Sequence, residues 1–231
     1  SRAGYIVLQI LAKIQKDLPL LILKCHIHIQ LFFPHLLNRH RQGLVQFRGR
    51  AMQAAVPAGQ GAMAAILGSE DADVEAACRE AAQGEIVQAA NFNSPGQIVI
   101  AGAAAAVDRA IELLKAKGAK RAIKLPVSVP SHSALMAPAA EKLAERLKDI
   151  QIATPAVADI YTVDVRKHGD ANSIREALVQ QLVKPVRWTQ TIQAIVAGGA
   201  NVNYIRTARA KGIGTRLVLA RHAIKPALMP V

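Results

Sequence analysis

Glu85-Ile-Val-Gln-Ala-Ala-Asn-Phe-Asn-Ser-Pro-Gly-Gln-Ile-Val-Ile-Ala101 holds two apolar runs on either side of one turn. Residues 85–90 and 97–101 read as strands, because short apolar runs bounded by turn residues fit a pleated, half-buried surface. Between them Asn93-Ser94-Pro95-Gly96 supplies the turn: proline presets φ, and glycine permits φ > 0. An anion-binding nest is the other reading of Asn91 to Gly96, but a hairpin turn accounts for these residues better. Upstream, Gly61–Leu67 reads as a strand. Asp71 is placed to cap a helix whose apolar face is Val74, Ala77, Cys78 and Ala81, with Gly84 ending it. Downstream, Val107, Ala110, Ile111 and Leu114 mark a second helix closed by Gly118, and Arg121–Pro126 reads as a fourth strand. The order predicted for residues 56–126 is βαββαβ, the ferredoxin-like pattern.

Beyond this unit the chain alternates strand and helix. Pro126-Val-Ser-Val-Pro-Ser-His-Ser-Ala-Leu-Met136 places His132 on a Ser/Pro-rich loop before a helix marked by Ala140, Leu143, Ala144 and Leu147. Ala156–Val165 is strand-like. Ser173-Ile-Arg-Glu176 has the spacing of a capping box for a helix through Ala177, Leu178 and Gln181, stopped by Pro185. Trp188, Ile192 and Ile195 share one side of a last helix, ended by Gly198-Gly199. This implies a layered α/β domain, formed by residues 48–55 and 127–199, into which the βαββαβ unit is inserted.

The chain has 231 residues, 52% of them hydrophobic and 3% aromatic, which favours a helix-rich α/β core over an all-β sandwich. Cys25 and Cys78 form neither a metal-site spacing nor a disulfide framework. The net charge of +13 is uneven. Residues 1–50 hold 8 Lys/Arg and one acid, residues 201–231 hold 6 Lys/Arg and none, and the middle balances 15 bases against 15 acids. A basic nucleic-acid or membrane-surface binder would rest on those ends alone, with no aromatic-interleaved basic patch to support it. Leu18–Phe33 is apolar, but Lys24, His26, His28 and Gln30 interrupt it, so no membrane span and no signal peptide are expected. His26, His28, His35 and His40 lack the carboxylate or cysteine partners of a metal site.

Several blocks carry a resemblance when read in order: Phe47-Arg-Gly-Arg-Ala-Met-Gln53, Gly61-Ala-Met-Ala-Ala-Ile66, Asn91–Gly102, the His132 loop and Pro185-Val-Arg-Trp-Thr189. From about residue 46 to 199 the chain resembles the malonyl-CoA:acyl carrier protein transacylases of bacterial type II fatty-acid synthesis. The resemblance implies an acyltransferase, hydrolase-like α/β fold with a ferredoxin-like insertion. It implies that His132 is the catalytic base, that Arg48 rather than Arg50 reads the malonyl carboxylate, and that Gln181 orients the histidine through its carbonyl. Imidazole suits a proton relay near neutral pH, and a guanidinium grips a carboxylate with two parallel hydrogen bonds. It further implies malonyl-CoA and acyl carrier protein as partners, no metal or other cofactor, a cytoplasmic setting and a monomer.

The ends depart from that family. Its nucleophile is a serine in a Gly-His-Ser-Leu-Gly elbow, but no Gly-x-Ser-x-Gly occurs in this sequence. Spacing back from Arg48 puts the elbow near position 23, where Leu23 stands; Cys25 lacks flanking glycines or an activator. Ala58-Gly-Gln-Gly61 mimics the family's early oxyanion loop but precedes the first strand of the inserted unit. Asp159-Ile-Tyr-Thr162 departs from the family's asparagine-containing segment, and Arg206–Thr215 replaces its Gly-Pro-Gly-Lys stretch. Residues 1–47 and 200–231 therefore read as foreign to the family. Little or no malonyl transfer is expected from this chain. The alternative is a non-catalytic remnant that binds acyl carrier protein or CoA.

Overall fold

The computed structural model describes residues 38–127, 129–153 and 160–197. Helix α1 (Asn38–Ala55) leads into β1 (Gly61–Leu67), α2 (Asp71–Ala82), β2 (Val87–Ser94), β3 (Gln97–Ala103), α3 (Ala104–Ala116) and β4 (Arg121–Lys124). A 3₁₀ turn (Ala134–Met136) and α4 (Ala137–Lys148) follow. The short strands β5 (Ile160–Tyr161) and β6 (Arg166–Lys167), then α5 (Ala171–Val183) and α6 (Trp188–Ala197), complete the described chain.

The first four strands form one antiparallel sheet in the order β2-β3-β1-β4. Alternation sorts its side chains. Ala62, Ala64, Ile66, Ile98 and Ile100 pack with Val74, Ala77, Cys78 and Ala81 of α2 and with Val107, Ala110, Ile111 and Leu114 of α3. The faces read for these two helices are buried as read, whereas Ala144 in the face read for α4, and Trp188 and Ile192 in that of α6, are half-buried. On the other face Met63, Ala90 and Ala101 meet Leu125 and Val127, in the chain that leaves β4 toward the His132 loop. A second core joins α1, α4 and α5 through Leu44, Met52, Leu143, Leu147, Leu178 and Leu182.

Local details differ from the expectations. β2 starts at Val87 and runs through Ser94, because Ser94 pairs with Gln97 and leaves only Pro95-Gly96 to turn. The positive φ of Gly96, 72°, is what that turn requires. Asp71 does not cap α2: Glu70 holds the cap position without a side-chain bond, and Asp71 and Asp73 sit in the first turn near the positive helix end. Ser173 does not open α5 either. Asp170 caps it three residues earlier, accepting from the Asn172 and Ser173 N–H groups at 2.9 and 3.0 Å. Of the strand read over Ala156–Val165, residues 160–161 pair with 166–167, and residues 154–159 lie outside the described residues. So do Leu18–Phe33, Cys25 and Gly198-Gly199. Among the described residues no helix is long and apolar enough to cross a membrane.

Candidate active site

The C-terminal end of α5 provides an acceptor because of its sequence. The carbonyls of a helix's last turn have no intrahelical partner unless the chain after it supplies N–H groups. Gln180 finds one in the Lys184 N–H, at 2.8 Å. Gln181 would look four residues on, to position 185, but Pro185 has no N–H. Its carbonyl instead faces the imidazole of His132, with Nδ1 at 2.7 Å. A carbonyl only accepts, so Nδ1 carries the proton and donates. In the neutral ring this leaves the lone pair on Nε2, the state a general base needs. The bond between His132 and Gln181 expected from the resemblance is thus present, through the backbone of Gln181; the amide side chain has no part in it. Gln181 itself is buried on α5.

The loop that presents His132 is held tightly. His132 adopts φ 61°, a left-handed conformation uncommon for a residue with a side chain. Ser133, fully buried, donates its hydroxyl to the Pro130 carbonyl at 2.6 Å, which makes it a strut for the loop. The Ser131 N–H donates to Val129 O and the Met136 N–H to Ser133 O, each at 2.9 Å. Gln88, from β2, bonds the backbone on either side of Ser133, directly after the histidine: its Nε2 donates to His132 O at 3.3 Å, and its Oε1 accepts from the Ala134 N–H at 3.1 Å.

Arg48 lies in the buried stripe of α1, at the spacing set by Leu44, Val45, Ala51 and Met52, and is 7% exposed. Arg50, two residues on, is exposed. The helix periodicity therefore separates the two arginines as the resemblance did. Burying a permanent charge is costly, so packing alone does not account for Arg48. α1 packs on the 3₁₀ turn that directly follows the His132 loop.

The segment after α5 ties this region to the sheet. Val186 N–H donates to Ala90 O at 2.8 Å and Val186 O accepts from the Phe92 N–H at 2.9 Å, which extends the sheet along the outer edge of β2. Thr189 Oγ1 adds a bond to Phe92 O at 3.2 Å. Ala58–Gly61, which only mimics the oxyanion loop, is a turn into β1, as its place before that strand implied, closed by the Gln60 N–H on Pro57 O at 3.1 Å. Among the described residues no group of three or more His, Cys, Asp or Glu side chains is placed to hold a metal ion. Sequence reasoning missed Gln88, a polar residue inside a strand. It also read Pro185 as a helix stop and as part of a matched block, not as the reason the Gln181 carbonyl is left without a backbone donor.

Residues 42–204 match the family described as the acyl transferase domain. A malonyl CoA-acyl carrier protein transacylase of Haemophilus influenzae is 55% identical over 159 residues, which cover 69% of this chain and 51% of that protein. The structure of a malonyl CoA-acyl carrier protein transacylase from Coxiella burnetii superposes with a TM-score of 0.71 at 50% identity, over 72% of this chain and 52% of that one. A malonyl-transacylase solved in complex with its type II PKS acyl-carrier protein gives 0.70 at 50% identity, over 71% and 54%. The chain spans about half the length of the relatives it matches. The match covers the region read as similar to malonyl transacylases and extends a few residues past each end of it.

Proposed function

The chain belongs to the acyl transferase domain family, and from that premise we propose that it carries the base and the carboxylate-reading arm of a malonyl transfer site. The single observation that carries this reading is the 2.7 Å bond from His132 Nδ1 to the Gln181 carbonyl. In the proposed reaction the malonyl thioester of CoA is attacked by a serine hydroxyl, whose proton passes to Nε2 of His132. The thiol leaves with that proton. The second half runs in reverse, with the acyl carrier protein's thiol as acceptor. Arg48 grips the malonyl carboxylate, which an acetyl thioester lacks. The Gln181 carbonyl does what the aspartate of a serine-protease triad does, fixing tautomer and ring orientation and stabilising the imidazolium that forms.

The finer assignments belong to the same proposal. We read residues 56–126 as a ferredoxin-like subdomain inserted between residues 48–55 and 127–199; the strand order β2-β3-β1-β4 supports it. Of the segments expected to be foreign to the family, residues 42–47 and 200–204 fall within the matched stretch; residues 1–41 and 205–231 are read as foreign to it, no metal or other cofactor is invoked, and a cytoplasmic monomer is proposed. Because no Gly-x-Ser-x-Gly stands in this sequence, the chain alone should give little or no turnover. Transfer of radiolabelled malonyl from malonyl-CoA to acyl carrier protein tests both halves of the reading. This chain should be inactive. A hybrid in which a relative's portion with the glycine-flanked serine precedes residue 48 should transfer malonyl and lose it with His132→Ala. A folded hybrid that is inactive, or equally active after His132→Ala, would overturn the reading.

A further inference from the structure

We propose that Gln88 is a positioning residue for His132, one amide that fixes the base-presenting loop to the end of α5. The inference rests on the reading of His132 as the base. Gln88 lies between Val87 and Ala89, whose side chains enter the core under α2 and α3. Strand alternation therefore turns Gln88 to the opposite face, where the His132 loop runs. There its two donors and its acceptor are all engaged. Nε2 reaches His132 O at 3.3 Å and Val183 O at 3.4 Å, and Oε1 receives the Ala134 N–H at 3.1 Å.

The choice of atoms gives the amide its role. His132 O and the Ala134 N–H bracket Ser133, directly after the described loop residue with positive φ, so Gln88 braces the chain as it leaves the left-handed turn. A non-glycine residue stays in that conformation only when its surroundings over-determine it. Val183 is two residues from Gln181, in the same terminal turn of α5 that supplies the acceptor for Nδ1. Gln88 thus fixes both partners of the His132–Gln181 bond in one frame. The Nε2 bonds are long, and each one alone is weak. Their effect comes from sharing a rigid planar group set on a paired strand. No other side chain could replace it by charge alone, because the site needs two donors and one acceptor together.

The test uses the full chain with its histidines labelled with ¹⁵N and long-range ¹H–¹⁵N correlation spectra, with His132→Asn assigning the signal. In the unmodified chain His132 should show the single Nδ1–H tautomer, and the Gln88 side-chain amide should be protected from exchange. Gln88→Met, nearly the same size without polar atoms, should draw the two ring nitrogen shifts toward a tautomer average. It should also speed exchange of the Nδ1 proton by about tenfold, as loss of a hydrogen-bonded frame would. His168, bonded to Asp164 at 3.0 Å beside the β5–β6 hairpin, should not move. Gln88→Glu keeps an acceptor for the Ala134 N–H but loses both donors, so it too should shift His132. An unchanged His132 signal in either folded variant would overturn the proposal, and so would an unprotected Gln88 amide in the unmodified chain if neither variant folds. None of these readouts requires malonyl transfer, so an inactive hybrid and a failed Gln88 test remain separate results.

Discussion

Burial pushes the thiol of Cys78 up from 9.0 to about 12, with the nearby Glu75 charge adding to the shift. It contributes to the core under α2 as a small apolar group, and its thiolate is out of reach near neutral pH. In a Cys25→Ser background a thiol reagent should therefore label almost nothing in the native protein at pH 8 and one equivalent in guanidinium. Rapid native labelling would show that this core opens. Gly102 is fixed for a steric reason. A Cβ there would lie 2.1 Å from Ile86 O and 2.6 Å from Val87 Cα, both backbone atoms of the neighbouring strand's approach. Gly102→Ala should cost about 1–3 kcal/mol by urea unfolding, the usual range for overpacking, because no rotamer relieves the clash. Individual residues divided sharply in how well the sequence revealed them. His132 and Arg48 stood in recognisable blocks, and helix periodicity alone would have separated Arg48 from Arg50. Gln88 gave no signal, since a polar residue in a half-polar strand looks like any solvent-facing one. Its meaning depends on a loop 44 residues away in sequence.

Among the elements, α5 shows how a helix end becomes part of a site. Pro185 removes the N–H that would otherwise take the Gln181 carbonyl, and it holds Lys184 in an extended conformation, as residues before proline are. Pro185→Ala should restore a competing donor. The His132 Nδ1–H should then exchange faster while α5 gains protection at its last turn; protection unchanged at both places would show that the proline only ends the helix. At the other end of α5, Asp170 is held below the ordinary carboxylate range by the Ser173 hydroxyl first and then by the Ser173 and Asn172 N–H groups. A lowered folded-state pKa means that this contribution is fully present above the unfolded value. It fades as pH falls through the lower folded one. Stability should therefore drop on acidification below about pH 4. Asp170→Asn should flatten that part of the profile, and an identical acid limb in both proteins would discount the cap. Element types and buried faces were legible because periodicities of 2 and 3.6 report burial directly. Caps were not. Asp71 and Ser173 both had cap chemistry, but the chain turned into the helix one residue before the first and three before the second; at α5 two residues with cap chemistry stood close together, and Asp170 holds the N–H groups.

For the molecule as a whole, the segment after α5 joins the sheet along the outer edge of β2, where Val186 pairs with the strand and Thr189 bonds Phe92. The four-stranded unit therefore helps to build the site. The sequence revealed the unit itself, because its signals are local, but it did not reveal this edge, where Thr189 bonds a residue 97 positions away. Of the basic excess at the two ends, residues 1–37 and 201–231 lie outside the described structure, whereas Arg39, Arg41, Arg48 and Arg50 stand on α1. There the Arg48 assignment makes the most discriminating claim. If Arg48 holds only the carboxylate, its loss should leave the thioester chemistry intact and remove the preference for malonyl over acetyl. In the hybrid carrying the glycine-flanked serine, Arg48→Ala should lower kcat/KM for malonyl-CoA relative to acetyl-CoA by about 10- to 150-fold. That corresponds to about 1.5–3 kcal/mol, the range for a charged hydrogen bond. Arg50→Ala, on the exposed side of the same helix, should leave the ratio unchanged. Because Arg48 is also buried, thermal unfolding of both variants has to be measured beside the kinetics. An Arg48→Ala hybrid that folds as stably as its parent and keeps its malonyl selectivity would take Arg48 out of substrate recognition. A variant that is destabilised but still selective would assign the residue to packing in α1.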